Sequence, residues 1–460
     1  MARRHHSASH AASAFRGAAS LAVSAALLGS PAFGGGLGVR EQSAFLQGAS
    51  FAGAAAGGGL SSSYWNPAAI SNAAYGTLTE SHFALIQADY DVYADTISVL
   101  PGSALGTSTT LANEGVSIDP LVVVGSSYGA RRISDDVVLG ISITAPFGAK
   151  NKADTAMWSG QYHYRSSNLL TVNANPIVSY QLTPSLSVAA GPQIQYLALA
   201  LKANPSGGFA PPQTSSMLEG DDVGFGATAG LLWQPSPATS IGLGYRSAVA
   251  HKVEGDASMA NGLLTTGTML GTVAFSPVDF AAKLETPEMV TLSVRQSIDE
   301  TVRLLATVEW TNWSRLDTVD FKATRTGGIA AMPFAVGQSL NVLDFHWDDG
   351  WFFAAGAEWN YAPRLTFRAG AAYEISPIRD ADQRKINIAD SNRLWLSAGA
   401  SYTLSETMAV DIAYTHIFFD DAPIVQHTTS PGSATTPVRE FRGHASQDAN
   451  IVAMALKSKW

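Results

Sequence analysis

The sequence predicts an all-β fold: a 14-stranded antiparallel transmembrane β-barrel with a small N-terminal helical plug, or hatch, in the lumen. Three observations carry that expectation. Charged residues make up only 14% of the 460 and hydrophobic residues 46%; a typical soluble protein carries about 25% charge, so much of this surface faces something other than water. From Tyr75 onward the chain reads as strand after strand with period-2 alternation and little helical periodicity. The last segment, Asn450 to Trp460, is itself strand-like and ends on an aromatic residue.

Residues 1–32 read as a signal peptide. Arg3, Arg4 and Arg16 form a positive n-region, and no acidic residue precedes Glu41. Ala18 to Leu28 is apolar but too short to span a bilayer as a helix. Ser30-Pro31-Ala32 supplies small residues for cleavage after Ala32. An ordinary amphipathic or disordered extension is the alternative. No later stretch offers ~20 consecutive apolar residues, which leaves an exported chain either periplasmic, secreted or a barrel in the outer membrane. The net charge of −9 argues against non-specific nucleic-acid binding. With no cysteine, disulfides, thiolate metal sites and cysteine nucleophiles are excluded.

Residues 33–75 form the expected plug. They are rich in Gly, Ala and Ser, as in Gly34-Gly35-Gly36 and Ala54 through Gly59, and lack strand alternation. Glu41 to Ala56 suits one or two short helices anchored by Phe45, Leu46 and Phe51. The bland alternative is a flexible linker, but linkers rarely carry Phe45, Phe51, Tyr64 and Trp65 together.

Residues 76–460 form the expected barrel, with strands near 76–97, 116–130, 136–147, 168–182, 185–202, 222–235, 239–253, 282–297, 302–322, 351–361, 364–376, 392–404, 408–419 and 449–460. In one of these, Leu365, Phe367, Ala369 and Ala371 share a face and Thr366, Arg368 and Gly370 the other. Alternation alone does not separate a soluble sandwich, apolar side inward, from a membrane barrel, apolar side outward. Aromatics near strand ends (Trp233, Tyr245, Trp310, Trp359, Tyr402) favour interfacial girdles. Short turns alternate with longer loops at 204–222, 256–276 and 421–448. An even strand count permits closure, which in lipid removes the open edge.

The ten histidines show no metal-like clustering beyond His5-His6, and the pairs Asp348-Asp349 and Asp420-Asp421 read as solvated loop charge. No motif joins Ser, His and Asp into a catalytic set, so neither enzyme activity, metal nor cofactor is expected.

The chain resembles the FadL/TodX family of outer-membrane hydrophobic-compound transporters over nearly its whole expected mature length. The resemblance rests on Arg40-Glu41-Gln42-Ser43 leading to Asn66-Pro67-Ala68, on Ala145-Pro146-Phe147-Gly148, on Gly244-Tyr245-Arg246-Ser247 and on Glu309 through Ser314. It continues in the stretch from Arg368-Ala369-Gly370 through Ser376-Pro377, Ile386 and Asp390 to Arg393, then Leu396 through Gly399 and Tyr402. It implies passive uptake of a lipophilic ligand, long-chain fatty acids first, through a groove, a deeper pocket and a sideways opening at a kink in the third strand. Implied partners are the ligand, outer-membrane lipid and lipopolysaccharide, and the barrel-assembly machinery acting on the C-terminal strand. A monomer is expected.

Site residues follow from both readings. Asn66, Pro67 and Ala68 form either a rigid turn holding the plug or an ordinary helix start. Pro146 cannot donate to a ladder and Gly148 weakens one, so with Phe147 they mark a kink, and the resemblance makes it the lateral gate. Lys322 matches a basic position of the family's fatty-acid transporters, and with Arg325 and Lys202 it is the expected partner of a ligand carboxylate; a loop-base charge facing water is the alternative. No arginine stands around Ala198, where those transporters carry one on the fifth strand. Phe33, Leu37, Phe45 and Phe51 either touch ligand or anchor the plug. An aromatic or aliphatic hydrocarbon channel of the same family, and a porin for polar solutes, are the alternatives.

Overall fold

A chain of alternating strands satisfies its backbone in lipid only by closing on itself, and this chain closes. The computed structural model describes residues 35–99, 108–118, 121–155, 158, 160–204, 215–265, 272–429 and 437–460. The expected signal peptide and Phe33 lie outside them. Fourteen antiparallel strands form the barrel. They are β1 (Thr77–Val99), β2 (Ser108–Ser117 and Leu121–Arg132), β3 (Val137–Thr144 and Gly148–Lys152), β4 (Ser166–Thr183) and β5 (Leu186–Ala203). Next come β6 (Ser216–Ser236), β7 (Thr239–Arg246 and Val249–Met259), β8 (Val278–Thr286 and Met289–Ser297), β9 (Val302–Thr311 and Thr318–Ala323) and β10 (Ser339–Asp344 and Gly350–Ala362). The series ends with β11 (Leu365–Ile375), β12 (Arg393–Ser405), β13 (Met408–Phe419 and Ala422–Thr429) and β14 (Pro437–Lys459). Strand β14 returns to pair with β1 from Leu78↔Lys459 to Val99↔Arg439.

Burial decides between sandwich and membrane barrel. On β11, Phe367 is 39% exposed and the adjacent Arg368 7%; Tyr373 is 43% exposed and Glu374 4%. Exposed aromatics beside buried charges reverse the soluble pattern, so the apolar face meets lipid. Trp359 and Tyr361 mark one end of this band and Trp351 the other, all exposed. Trp351 and Trp359 stand roughly 27 Å apart along the strand at ~3.4 Å per residue, of the order of a ~25 Å apolar band.

Beyond the band the wall continues into water, which the sequence reading did not anticipate. The outer parts of β7 to β9 are laced by exposed ion pairs: Lys252–Glu254 at 2.5 Å, Arg325–Asp279 at 2.9 Å and Arg315 with Glu285 and Glu288 at 3.1 and 3.0 Å. The loop expected at 421–448 is largely strand, from β13 and β14, and those expected at 204–222 and 256–276 are cut back by β6 and β7. These stretches carry no alternating apolar signal because neither face of their outer side meets lipid.

Inside the barrel lie α1 (Ala44–Gln47) and three 3₁₀ turns, Ala54–Ala56, Leu60–Tyr64 and Pro67–Asn72. Ser43 caps α1, its Oγ accepting from Leu46 N at 3.2 Å. Glu80 of β1 accepts from Leu60 and Ser61 N–H at 2.8 and 3.0 Å, satisfying the open end of the second turn. The fit is tight. A Cβ on Gly242 would stand 1.8 Å from Ala55 O, and one on Gly244 1.8 Å from Trp65 O, so at these two β7 positions the inner segment lies directly on the wall.

Candidate functional site

The wall is broken between β2 and β3. Their ladder runs from Arg132↔Val138 only to Ser127↔Ile143, and the strands meet again at Asp154 N to Ser117 O, 3.0 Å. The cause lies in β3 itself. Thr144 pairs with Asn173 and Gly148 with Leu170 of β4, so Ala145, Pro146 and Phe147 face only two β4 residues. This one-residue bulge turns the segment inward, where Pro146 O accepts from Val39 N at 2.9 Å and Gly148 N donates to Leu37 O at 3.0 Å.

Gln42 bridges the break from inside. Its side chain donates to Ala145 O (2.8 Å) and accepts from Ala145 N (3.2 Å). Its carbonyl accepts from Ser126 Oγ (2.7 Å) and Tyr128 OH (2.9 Å) on β2. One residue of the N-terminal arm (residues 35–42, before α1) thus ties both strands where their own ladder stops. The sequence reading had it only as part of a motif, with no role.

Above the arm, apolar side chains converge in the outer half of the lumen. Leu197 and Leu199 (β5), Val253 (β7), Phe280 (β8) and Phe321 (β9) form one buried cluster with Phe147, Trp313 and Trp347. Phe147 meets Trp313 edge-on at 5.8 Å, and Trp313 meets Trp347 at 5.5 Å. Along β5 the buried positions read Gln193, Gln195, Leu197, Leu199, so the wall turns from amide to hydrocarbon going outward. At that boundary lies a cavity lined by Tyr64, Trp65, Pro146, Phe147, Trp313, Met289 and by Arg40, Arg246, Glu309 and Glu374.

The expected cation partners do not reach it. Lys322 lies between Phe321 and Ala323, which are buried; strand alternation therefore turns Lys322 outward, 58% exposed and 3.5 Å from Asp320. Arg325 is 64% exposed and paired with Asp279, and Lys202 is exposed on the outer face of β5. Contrary to the sequence expectation, none of the three faces a ligand inside the barrel. Phe45 is buried among cations, its ring 3.9 Å from both the Arg368 guanidinium and Lys457 Nζ. Phe51 packs on Trp65 and Trp395 at 5.6 and 6.1 Å. Neither lines the cavity. Leu37 packs on the apolar cluster. Asn66 caps the third turn through Ala68 N (3.0 Å) and donates to Ala55 O (2.7 Å) and to Leu231 O on β6 (2.9 Å), with Pro67 in the first helical position.

The arm carries one buried carboxylate with no hydrogen-bond partner on either oxygen, Glu41. Burial pushes it up to about 7 from an ordinary value of 4.5, against the pull of the neighbouring Arg40. The folded value lies above the unfolded one, so this group's contribution is fully present below the unfolded value and is lost as pH rises through about 7. Glu41→Gln is therefore expected to raise the thermal midpoint of gel heat-modification at pH 8, and to shrink the pH 5 to pH 8 difference seen in the parent. An unchanged difference would contradict the assignment.

A closed barrel with a lipid-facing band, a filled inner half and an apolar cluster in its outer half is the architecture of an outer-membrane transporter of hydrophobic compounds. The family model "Outer membrane protein transport protein (OMPP1/FadL/TodX)" matches residues 25–460, and the chain belongs to that family. It is 27% identical over 328 residues to a long-chain fatty acid transport protein of Escherichia coli, covering 65% of this chain and 70% of that one. It is 25% identical over 332 residues to a putative outer membrane protein of Neisseria meningitidis, covering 64% and 68%. Among solved structures, a Pseudomonas aeruginosa FadL homologue superposes with a TM-score of 0.76 at 18% identity, covering 92% of this chain and 99% of that chain. The Ralstonia pickettii toluene transporter TbuX gives 0.62 at 15% identity, with 92% and 99% covered. At these identities the likeness is one of fold.

Proposed function

We propose that this chain takes up long-chain fatty acids, holding the hydrocarbon tail in the chamber of Leu197, Phe280 and Phe321 and releasing ligand sideways into the membrane through the β2–β3 break. The observation that carries the reading is the junction of three features at Phe147: it belongs to the apolar cluster, lines the cavity and sits in the bulge that interrupts the wall. Pro146, Phe147 and Gly148 are then the lateral gate, and Asn66-Pro67-Ala68 the turn that seats the plug beside it. The physics favours this route. A tail leaving through the wall stays in hydrocarbon, whereas a tail crossing to the periplasm exposes each CH₂ to water at about 0.8 kcal/mol.

The test is uptake of radiolabelled oleate by cells that lack their own transporter, with and without this chain, with toluene as competitor. Saturable, chain-dependent oleate uptake is expected. Uptake of toluene but not oleate would assign the hydrocarbon class instead, and uptake of neither would overturn the fatty-acid reading.

A further inference from the structure

We infer that Arg246 is the anchor for the ligand's head group, and that the ligand is therefore a long-chain carboxylate rather than a neutral hydrocarbon; this rests on the uptake reading above and sharpens it.

Arg246 reaches the cavity by plain strand alternation: Gly242, Gly244 and Arg246 are buried on one face of β7. A bulge follows it. Thr228↔Arg246 and Asp221↔Glu254 bound a stretch in which seven β7 residues face six of β6, and past it Val249, His251 and Val253 are the buried positions. Arg246 is thus the last inward residue before the parity changes.

Its environment gives the guanidinium amide, carbonyl and ring partners, with Glu309 acting on it only through space. The side chain is 3% exposed. It donates to the Gln193 amide oxygen, and to Tyr64 O at 3.2 Å, and lies 4.5 Å over the Tyr64 ring. No carboxylate is among these partners, and Nε is buried without an acceptor. A guanidinium offers five N–H donors in a fork that matches a carboxylate, and a buried donor left unmet is costly.

The other charges of the cavity are already spoken for. Arg40 pairs with Glu309 at 2.8 Å and with Glu374 at 3.4 Å. Glu309 also accepts from Thr291, and Glu374 from Gly35 N and Trp395 Nε1. An incoming carboxylate therefore meets the one cation of the described lining that bonds no carboxylate, with Phe147 and Trp313 leading from it to the apolar cluster that takes the tail.

The experiment compares binding of oleate and of oleyl alcohol, which share a chain and differ in the head, to detergent-purified, heat-modifiable protein. The parent is expected to prefer oleate. Arg246→Met should weaken oleate roughly 10- to 100-fold, the range of a lost charged hydrogen bond, and leave oleyl alcohol unchanged. Lys322→Ala should alter neither. Equal loss of both ligands in Arg246→Met would make Arg246 a structural support of Tyr64 and overturn the anchor, as would unaltered oleate binding. Should Arg246→Met fail to fold, the parent's own ratio and Arg246→Lys decide: the anchor requires a preference for oleate that the lysine variant, keeping charge without the fork, reduces. Parent protein that binds the alcohol as tightly as oleate overturns the anchor while the uptake reading stands; parent protein that binds neither overturns both.

Discussion

Glu358→Ala will destabilise the folded barrel by about 3–5 kcal/mol, the usual cost of stranding buried charge. Glu358 on β10 accepts from Arg295 at 2.6 Å, Arg368 at 2.9 Å and Arg303 at 2.9 Å. Arg295 and Arg368 are themselves buried, so removing the single carboxylate leaves two guanidinium groups facing each other without a counter-charge. The effect extends to the plug, because Arg368 also lies over the Phe45 ring at 3.9 Å. The thermal midpoint of heat-modification on gels measures it. A fall small enough to match an exposed pair, under about 1 kcal/mol, would mean that water already reaches this cluster.

Gly244→Val will unseat the plug and open the barrel. The new Cβ falls 1.8 Å from Trp65 O and 2.8 Å from Trp65 C. Both are backbone atoms, which cannot swing aside as a side chain can. Ordinary overpacking costs about 1–3 kcal/mol, and a backbone clash exceeds it. The barrel strands keep their ladders, since Gly244 pairs with Gly230 and Thr291 through main-chain atoms alone. The expected outcome is a folded, heat-modifiable protein whose expression sensitises cells to large polar antibiotics that the parent excludes. Unchanged sensitivity would show that the plug tolerates displacement without opening a path.

All fourteen strands were legible in the sequence because each crosses lipid, and lipid imposes apolar residues on every second position. Where the wall leaves lipid that demand ends, and the outer reaches of β6, β13 and β14 read as loops. The bulge in β3 was legible for a different reason: Pro146 and Gly148 are poor ladder residues on any face. Lys322 was misplaced although the cue was present. Val319, Phe321 and Ala323 alternate, which sends Lys322 outward, and likeness to a family position outweighed that count. Arg246 was noticed only as part of a motif. Its inward aim follows from alternation with Gly242 and Gly244, a count that two positions without side chains conceal. Gln42 acts through its amide and its carbonyl across strands remote in sequence, a role that pattern in one chain does not encode.

The central claim is that ligand leaves through the break in the wall, and deletion of Pro146 tests it most directly. Removing one residue lets two residues of β3 face two of β4 between Thr144↔Asn173 and Gly148↔Leu170, so both halves of β3 share one register and the inward turn is lost. The expected result is a folded barrel that still binds oleate at the parent's affinity in detergent yet no longer supports its uptake by cells. Uptake at the parent's rate through the straightened wall would contradict it.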